Sequence, residues 1–436
     1  MVRIHSPQPF FKSKNCLFSC ISKRSSRFCF PYEYSVKIHN MSEDFLQRIK
    51  KRIAGVPLAS GRGRSFKNFS FDDLIFVPAQ LTRRPIDYYK EKVSSEIIVG
   101  RRSKKPLKLS TPVIFGAASF GALSKEAKLA LAKASTLAGT LANSGEGGVL
   151  KEERELARYL IVQYSTGRFG ISEEVLKKAD AIEIKISQGA KPGMGGFLPA
   201  SKVTPEIAKV RNRPVGQDIH SPASHPDIKS AKDLKEKVSF LREISGGAPI
   251  ILKLGAFSEA DLEMAVAAGP DIIALDGKGG GTGAAPEVVL NEIGIPTLVN
   301  LVKARAFLDK QQAPQELWIG GGLNTGADFA KALALGADAV FVVTPLLIAM
   351  GCIYCQRCYL GKCPVGIATQ DERLRERLDI DKAALDVAGY VKNSTEEIKI
   401  IAAACGEKEV SGLKKEHLLA LTLEASRLTG LRFVGD

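Results

Sequence analysis

Residues 317–343 read LWIGGGLNTGADFAKALALGADAVFVV. An apolar run, Leu317–Ile319, stops at three glycines. A polar turn follows, then an amphipathic stretch from about Ala327, then a second apolar run, Ala339–Val343. Strand, tight turn, helix and strand in this order form the unit from which parallel sheets are built. The same alternation extends upstream, with further strands expected at Val113–Phe115, Leu141–Asn143, Ile182–Ile186, Ile250–Leu254, Ile272–Leu275 and Thr297–Val299. Thr297–Val299 is ambiguous, because Pro296–Leu308 also reads as helix throughout. Eight strands alternating with helices predict an α/β chain folded as a (β/α)8 TIM barrel. A doubly wound sheet is the alternative, but no G-x-G-x-x-G follows an early strand.

Around this core the chain divides into residues 1–40, an N-terminal extension at 41–110, the barrel at 111–370 and a charged helical tail at 371–436. Residues 1–40 hold seven basic residues against one acid, Glu33. They read as a transit-type leader or as upstream sequence from a misassigned start; the second reading is preferred, because MSEDFLQRIKKRIAG from Met41 opens like an ordinary N-terminal helix. The 436 residues are 45% apolar, enough for a large core. The net charge of +15 is spread out, with no basic stripe carrying interleaved aromatics, so nucleic-acid binding is not expected. No apolar run is long enough to span a membrane. The cysteine pattern is not a disulfide framework and points to a reducing, cytoplasmic setting.

The densest chemistry lies in the loop at 351–366, within GCIYCQRCYLGKCPVGIATQ (351–370). Cys352, Cys355, Cys358 and Cys363, followed by Pro364, approximate the spacing that holds an iron–sulfur cluster; a zinc site is the alternative. Since barrel active sites form where strands end, each trailing loop is informative. Gly320–Gly322 let a ligand approach the backbone, and the helix start behind them is expected to offer unpaired N–H groups to a cofactor phosphate, together with the loop at Thr344. DGKGGGTGAAP (276–286) supplies a second glycine loop, containing Gly281. Lys185 sits in an otherwise apolar strand and must face a ligand, an acid such as Glu183, or water. Lys191 and Arg211 add positive charge suited to a dicarboxylate. Glu146 stands among the glycines of NSGEGG and could orient an amine. His220 and His225 lie in a Pro/Ser loop without metal-ligand spacing.

Together, SFGALSKEA, NSGEGG, IKISQGAKPGMGGFLP, IAKVR, HPDI, GGTGAAP and the cysteine run resemble the FMN-binding synthase domain of glutamate synthase, from about Thr111 to Gln370. The resemblance implies an oxidoreductase acting on CH–NH2 donors, with FMN and a [3Fe–4S] cluster. In such a protein 2-oxoglutarate and ammonia condense, and reduced FMN delivers hydride to 2-iminoglutarate, giving L-glutamate. It implies catalytic roles for Lys191, Glu146 and Gln188, and substrate binding by Lys191, Gly193 and Arg211. The cofactor is expected against Ala117, Ser119, Lys185, Gln188, Lys253, Gly281, Gly321, Gly322 and Thr344. Cys352, Cys358 and Cys363 match the cluster ligands; Cys355 is an additional thiol and would allow [4Fe–4S]. Met194 stands where Glu is common and Gly279 where Asp is usual. The family's glutaminase domain and β-helix do not fit within this length. A separate glutaminase subunit or free ammonia, an electron-donor subunit or ferredoxin, and assembly into a hetero- or homo-oligomer are therefore expected. Two other readings are a subunit of methylamine–glutamate N-methyltransferase and a non-catalytic FMN/iron–sulfur electron-transfer subunit.

Overall fold

The computed structural model describes residues 50, 52, 53, 55–64 and 69–436; residues 1–40, with Cys16, Cys20 and Cys29, lie outside the described residues. The chain divides into two units, Met1–Val56 and Pro57–Asp436, and the second holds the whole barrel. Its central sheet has eight strands: β1 (Val113–Phe115), β2 (Ala142–Asn143), β3 (Leu160–Tyr164), β4 (Ala181–Lys185), β5 (Ile250–Leu254), β6 (Ile272–Asp276), β7 (Glu316–Gly320) and β8 (Ala339–Val342). From β2 to β8 each lies parallel to the next in chain order, and β8 returns to β1. The Phe115 N–H donates to Leu141 O at 3.1 Å across the remaining seam. This is the expected TIM-type barrel. The helices around the sheet include α1 (Lys125–Ala138), α2 (Pro205–Arg211), α3 (Ala231–Ile244), α4 (Thr297–Lys310), α5 (Gly326–Ala334) and α6 (Ile380–Ala404).

Two strand assignments change. Thr297–Val299 opens α4, whose Leu298, Leu301, Val302 and Leu308 are buried at helical spacing. Residues 160–164, LIVQY, form β3 and are buried at every position; a strand covered on both faces shows no alternation to betray it. The two changes leave the strand total at eight. The segment 187–247 lies between β4 and β5. It holds α2, the short hairpin of Phe197–Leu198 with Ile219–His220, and α3.

Side chains alternate across the barrel wall. Val113, Ile182, Leu252, Ile273 and Val340 pack outward beneath the helices. Ile114, Ile161, Ala181, Ile272, Trp318 and Ala339 point inward and join Val99, Leu107 and Leu109. Those last three come from an antiparallel hairpin, Ile97–Val99 with Leu107–Leu109, which plugs the end where the strands begin. No helix among the described residues is long and apolar enough to cross a membrane.

One charged contact lies inside this packing. Ser124 caps α1, accepting from the Ala127 N–H at 3.2 Å, and one turn later the helix buries Lys128 at 1% exposure. Its ammonium pairs with Glu153 at 2.8 Å. It also donates to the carbonyls of Ala118, Asn143 and Ser144, the last two at 3.1 Å each. Lys128 thus ties the loop after β1 to the loop after β2. Removing one member of a buried pair leaves the other uncompensated. Lys128→Met should therefore cost roughly 3–5 kcal/mol in urea unfolding, and Lys128→Met/Glu153→Leu should recover part of it. A double variant no more stable than the single would show that the carbonyl contacts, not the pairing, carry the effect.

Candidate functional site at the barrel mouth

All eight strands deliver residues to one cavity of about 260 Å³ at their C-terminal ends. Ala117 and Ser119 follow β1, Glu146 follows β2, and Gln163 lies on β3. Lys185 ends β4, with Gln188 and Lys191 in its loop; Lys253 is on β5 and Asp276 on β6. Gly279–Thr282 follow β6, Gly321 and Gly322 follow β7, and Thr344 follows β8. Arg211 reaches the same space from α2, and Lys202 and Arg62 complete its basic lining. Most of the expected site residues therefore meet. Gly193 is not on the wall: its N–H donates to Ser187 Oγ at 3.4 Å, and a β-carbon there would meet open space.

The strand register accounts for a polar layer above the apolar interior. Glu183 lies opposite Gln163, and Lys185 opposite Lys253. Gln163 Nε2 donates to Glu183 Oε1 at 2.6 Å, and Asn143 Nδ2 to Glu183 Oε2 at 3.3 Å. Lys253 lies 3.7 Å from Glu183 and 4.0 Å from Asp276. The partner of Lys185 is Glu146, at 2.7 Å, rather than the nearby Glu183. Burial opposes ionisation of Glu146, but the Lys185 ammonium prevails and holds its carboxyl below the usual range. The other oxygen, Oε1, has no hydrogen-bond partner among the described residues.

Two buried cations are only partly answered. Burial, with Lys185 close by, pushes the Lys191 ammonium down to about 8. Burial lowers Arg211 to about 10; its Nη2 donates to Phe120 O at 2.6 Å while Nε has no partner among the described residues. Groups in this condition can accept an anionic ligand. His225 has a different task. Its Nε2 donates to the Lys185 carbonyl at 2.8 Å, leaving Nδ1 to accept from Arg168 at 2.6 Å. Burial brings its pKa to about 4, so the ring is a neutral prop for the end of β4.

The glycine loops are firm. Strand Leu58–Arg62 pairs antiparallel with Gly281–Pro286, setting Gly61 against Thr282 and Arg62 against Gly281. A β-carbon at Gly281 would stand 2.8 Å from Thr344 Oγ1, and one at Gly321 would strike the Gly277 carbonyl. Only glycine lets these turns close on each other. The helix start behind β7 departs from expectation. At α5, Thr325 Oγ1 accepts the Asp328 N–H at 3.3 Å, the Asp328 carboxylate takes the Asn324 and Thr325 amides, and Gly326 N–H donates to Glu397 at 2.7 Å. These donors are already used and flanked by carboxylates, so this end does not serve an anion.

Cys352, Cys355, Cys358 and Cys363 line a second cavity of about 30 Å³ with Val365 and Ile367. Cys352, Gln356 and Cys358 belong to the walls of both cavities. Lys202 Nζ donates to Cys358 O at 2.7 Å. Burial, then the neighbouring thiols, pushes Cys358 up to about 11. Among the described residues no three His, Cys, Asp or Glu side chains are gathered closely enough to hold a single metal ion. The donor set still suits a multi-iron cluster, which is bound by soft thiolates spaced more widely than the ligands of one ion. Sequence reasoning missed Gln163, Lys202 and Arg62; a glutamine inside the apolar run 160–164 was the available signal for the first.

A family model described as a conserved region in glutamate synthase matches residues 67–408. A glutamate synthase large subunit-like protein of Rhizobium meliloti is 39% identical over 93% of this chain and 97% of its own length. The archaeal-type glutamate synthase [NADPH] of Thermotoga maritima is 38% identical over 91% of this chain and 84% of its own. Among solved structures, a mutant flavocytochrome b2 with benzoylformate superposes with a TM-score of 0.55 at 16% identity, covering 84% of this chain and 82% of that one. At that identity the likeness is one of fold.

The lowered Lys191 pKa has a consequence for stability. Below pH 8 both folded and unfolded chains hold the proton, and the folded one carries the full cost of the buried charge. Between about 8 and the unfolded value of 10.5 that cost fades, because only the unfolded chain remains protonated. Lys191→Met should stabilise the protein by roughly 2 kcal/mol at pH 7, and the gain should shrink as pH rises through that window. An unchanged denaturation midpoint at pH 7 would mean that the ammonium is not strained.

Proposed function

The chain belongs to the glutamate synthase family, and we propose that its barrel mouth makes L-glutamate by reductive amination of 2-oxoglutarate. The observation that carries this reading is the pair of incompletely answered cations, Lys191 and Arg211, facing one cavity beside the Glu146–Lys185 ion pair. Two cations in a partly desolvated space match a five-carbon dicarboxylate. Glu146 Oε1 is positioned to receive an N–H of ammonia or of the imine. Lys191, with its pKa near 8, gives up a proton readily near neutrality.

FMN suits the remaining wall: Ala117, Ser119, Gln188, Lys253, Gly281, Gly321, Gly322 and Thr344 would hold it, and Lys185 would offset charge on its ring. When bound it supplies the hydride. 2-Oxoglutarate and ammonia lose water to give 2-iminoglutarate. The imine carbon would take that hydride and its nitrogen a proton, with Gln188 and Lys191 orienting the imine. Cys352, Cys358 and Cys363, with Cys355 as an additional candidate, would hold the iron–sulfur cluster, which supplies single electrons beside the same wall. Gly193 is left at the edge of this assignment. Ammonia comes from a separate glutaminase subunit or free solution, and electrons from a donor subunit or ferredoxin.

Purified protein, chemically reduced under anaerobic conditions, should form glutamate from 2-oxoglutarate and ammonium but not from 2-oxoglutarate and glutamine. Lys191→Ala should lower kcat/KM for 2-oxoglutarate by about a hundredfold or more while flavin content is unchanged; unaltered kinetics would remove Lys191 from the site. Cys358→Ser should lose iron and sulfide, and full retention of both would overturn the cluster assignment.

A further inference from the structure

The first turn of α5 is filled by its own caps, yet the cavity beside it holds a cation without an anion. Arg62 ends the strand Leu58–Arg62, which lies outside the barrel and crosses its mouth. Its ladder partner is Gly281, and Gly281 rests against Thr344, so the strand passes where β8 ends. Arg62 lines the cavity together with Gly321, Gly322 and Thr344. Its side chain makes no hydrogen bond or ion pair among the described residues, and Nε is buried without an acceptor. The ionisable groups acting on it are Tyr354, Tyr390 and Asp328. None answers it: Asp328 is engaged with the Asn324 and Thr325 amides, and the Tyr390 hydroxyl donates to Asn324 O at 2.6 Å.

Arg62 is half-buried, and a partly desolvated guanidinium with Nε unanswered is costly unless a ligand supplies an acceptor. Its planar fork matches the oxygens of a phosphate and is less suited to a neutral group. Barrels commonly place a cofactor phosphate over the loops after the seventh and eighth strands and the start of a short helix there. Here α5 is closed by its own caps, and the short helix Thr344–Ala349 has in its first turn Pro345, which offers no N–H. We propose that Arg62, supplied by the N-terminal extension, binds the phosphate of the flavin and takes the part that the α5 amides do not play. The assignment rests on the flavin reading above and adds a residue to it.

FMN and riboflavin differ only by that phosphate, so the test compares both on flavin-stripped, full-length protein by fluorescence titration. Wild type should prefer FMN. Arg62→Gln should weaken FMN binding by roughly tenfold to a hundredfold and leave riboflavin binding unchanged, while Arg62→Lys should keep part of the preference. Unchanged FMN affinity in Arg62→Gln, or equal loss of both ligands, would overturn the assignment. Wild-type protein that takes neither flavin would refute the flavin reading itself, a distinct outcome. Thermal unfolding of each stripped variant identifies a misfolded sample, and the Arg62→Lys result then decides.

Discussion

The barrel mouth takes its shape from one buried ammonium. Lys128 has no water to solvate it, so its protons must go to Glu153 and to the carbonyls of Ala118, Asn143 and Ser144. Those carbonyls belong to the loops that carry Ala117, Ser119 and Glu146 to the cavity. A charge inside α1 thus fixes two loops at once, with a demand far stricter than apolar packing would impose. Downstream of it, the Glu146 carboxylate can meet Lys185, and the Lys185 carbonyl in turn is braced by His225.

Above this anchor the site is built from an apolar barrel that turns polar at one level. Glu183, Lys185, Lys253 and Asp276 are inward-facing residues of strands whose other inward positions are aliphatic or aromatic. Carboxylates offset much of the crowded positive charge, but not at Lys191, Arg211 or Arg62. Such residual strain is what a binding site tends to retain, because a ligand relieves it.

Local features made much of this readable. Glycine triplets after apolar runs marked strand ends, and Lys185, Lys191 and Arg211 stood out as charges among apolar or glycine neighbours. The cysteine run was visible from spacing alone. Features that depend on distant pairing were not. Arg62 reaches the site only because its strand pairs with Gly281–Pro286, a register that no local pattern encodes. Lys128 carries no such local mark, since nothing nearby in sequence announces Glu153 as its partner. The α5 start was misjudged for the same reason: Glu397, which closes it, arrives from α6. β3 was missed because a fully buried run lacks the periodicity that separates strand from helix, whereas Thr297–Val299 was the ambiguous stretch, and the helical spacing of buried residues across α4 resolves it.

The hairpin of Val99, Leu107 and Leu109 seals the far end of the barrel with packed aliphatic side chains. The packed end leaves the cavity at the ends of the strands as the barrel's open face. On the proposed function, keto acid, amine and glutamate would all use the face where the strands end, and an arriving molecule would wait for a departing one. Traffic, rather than bond-making alone, then becomes part of the design: a partner that docked on that face would also stand in the doorway.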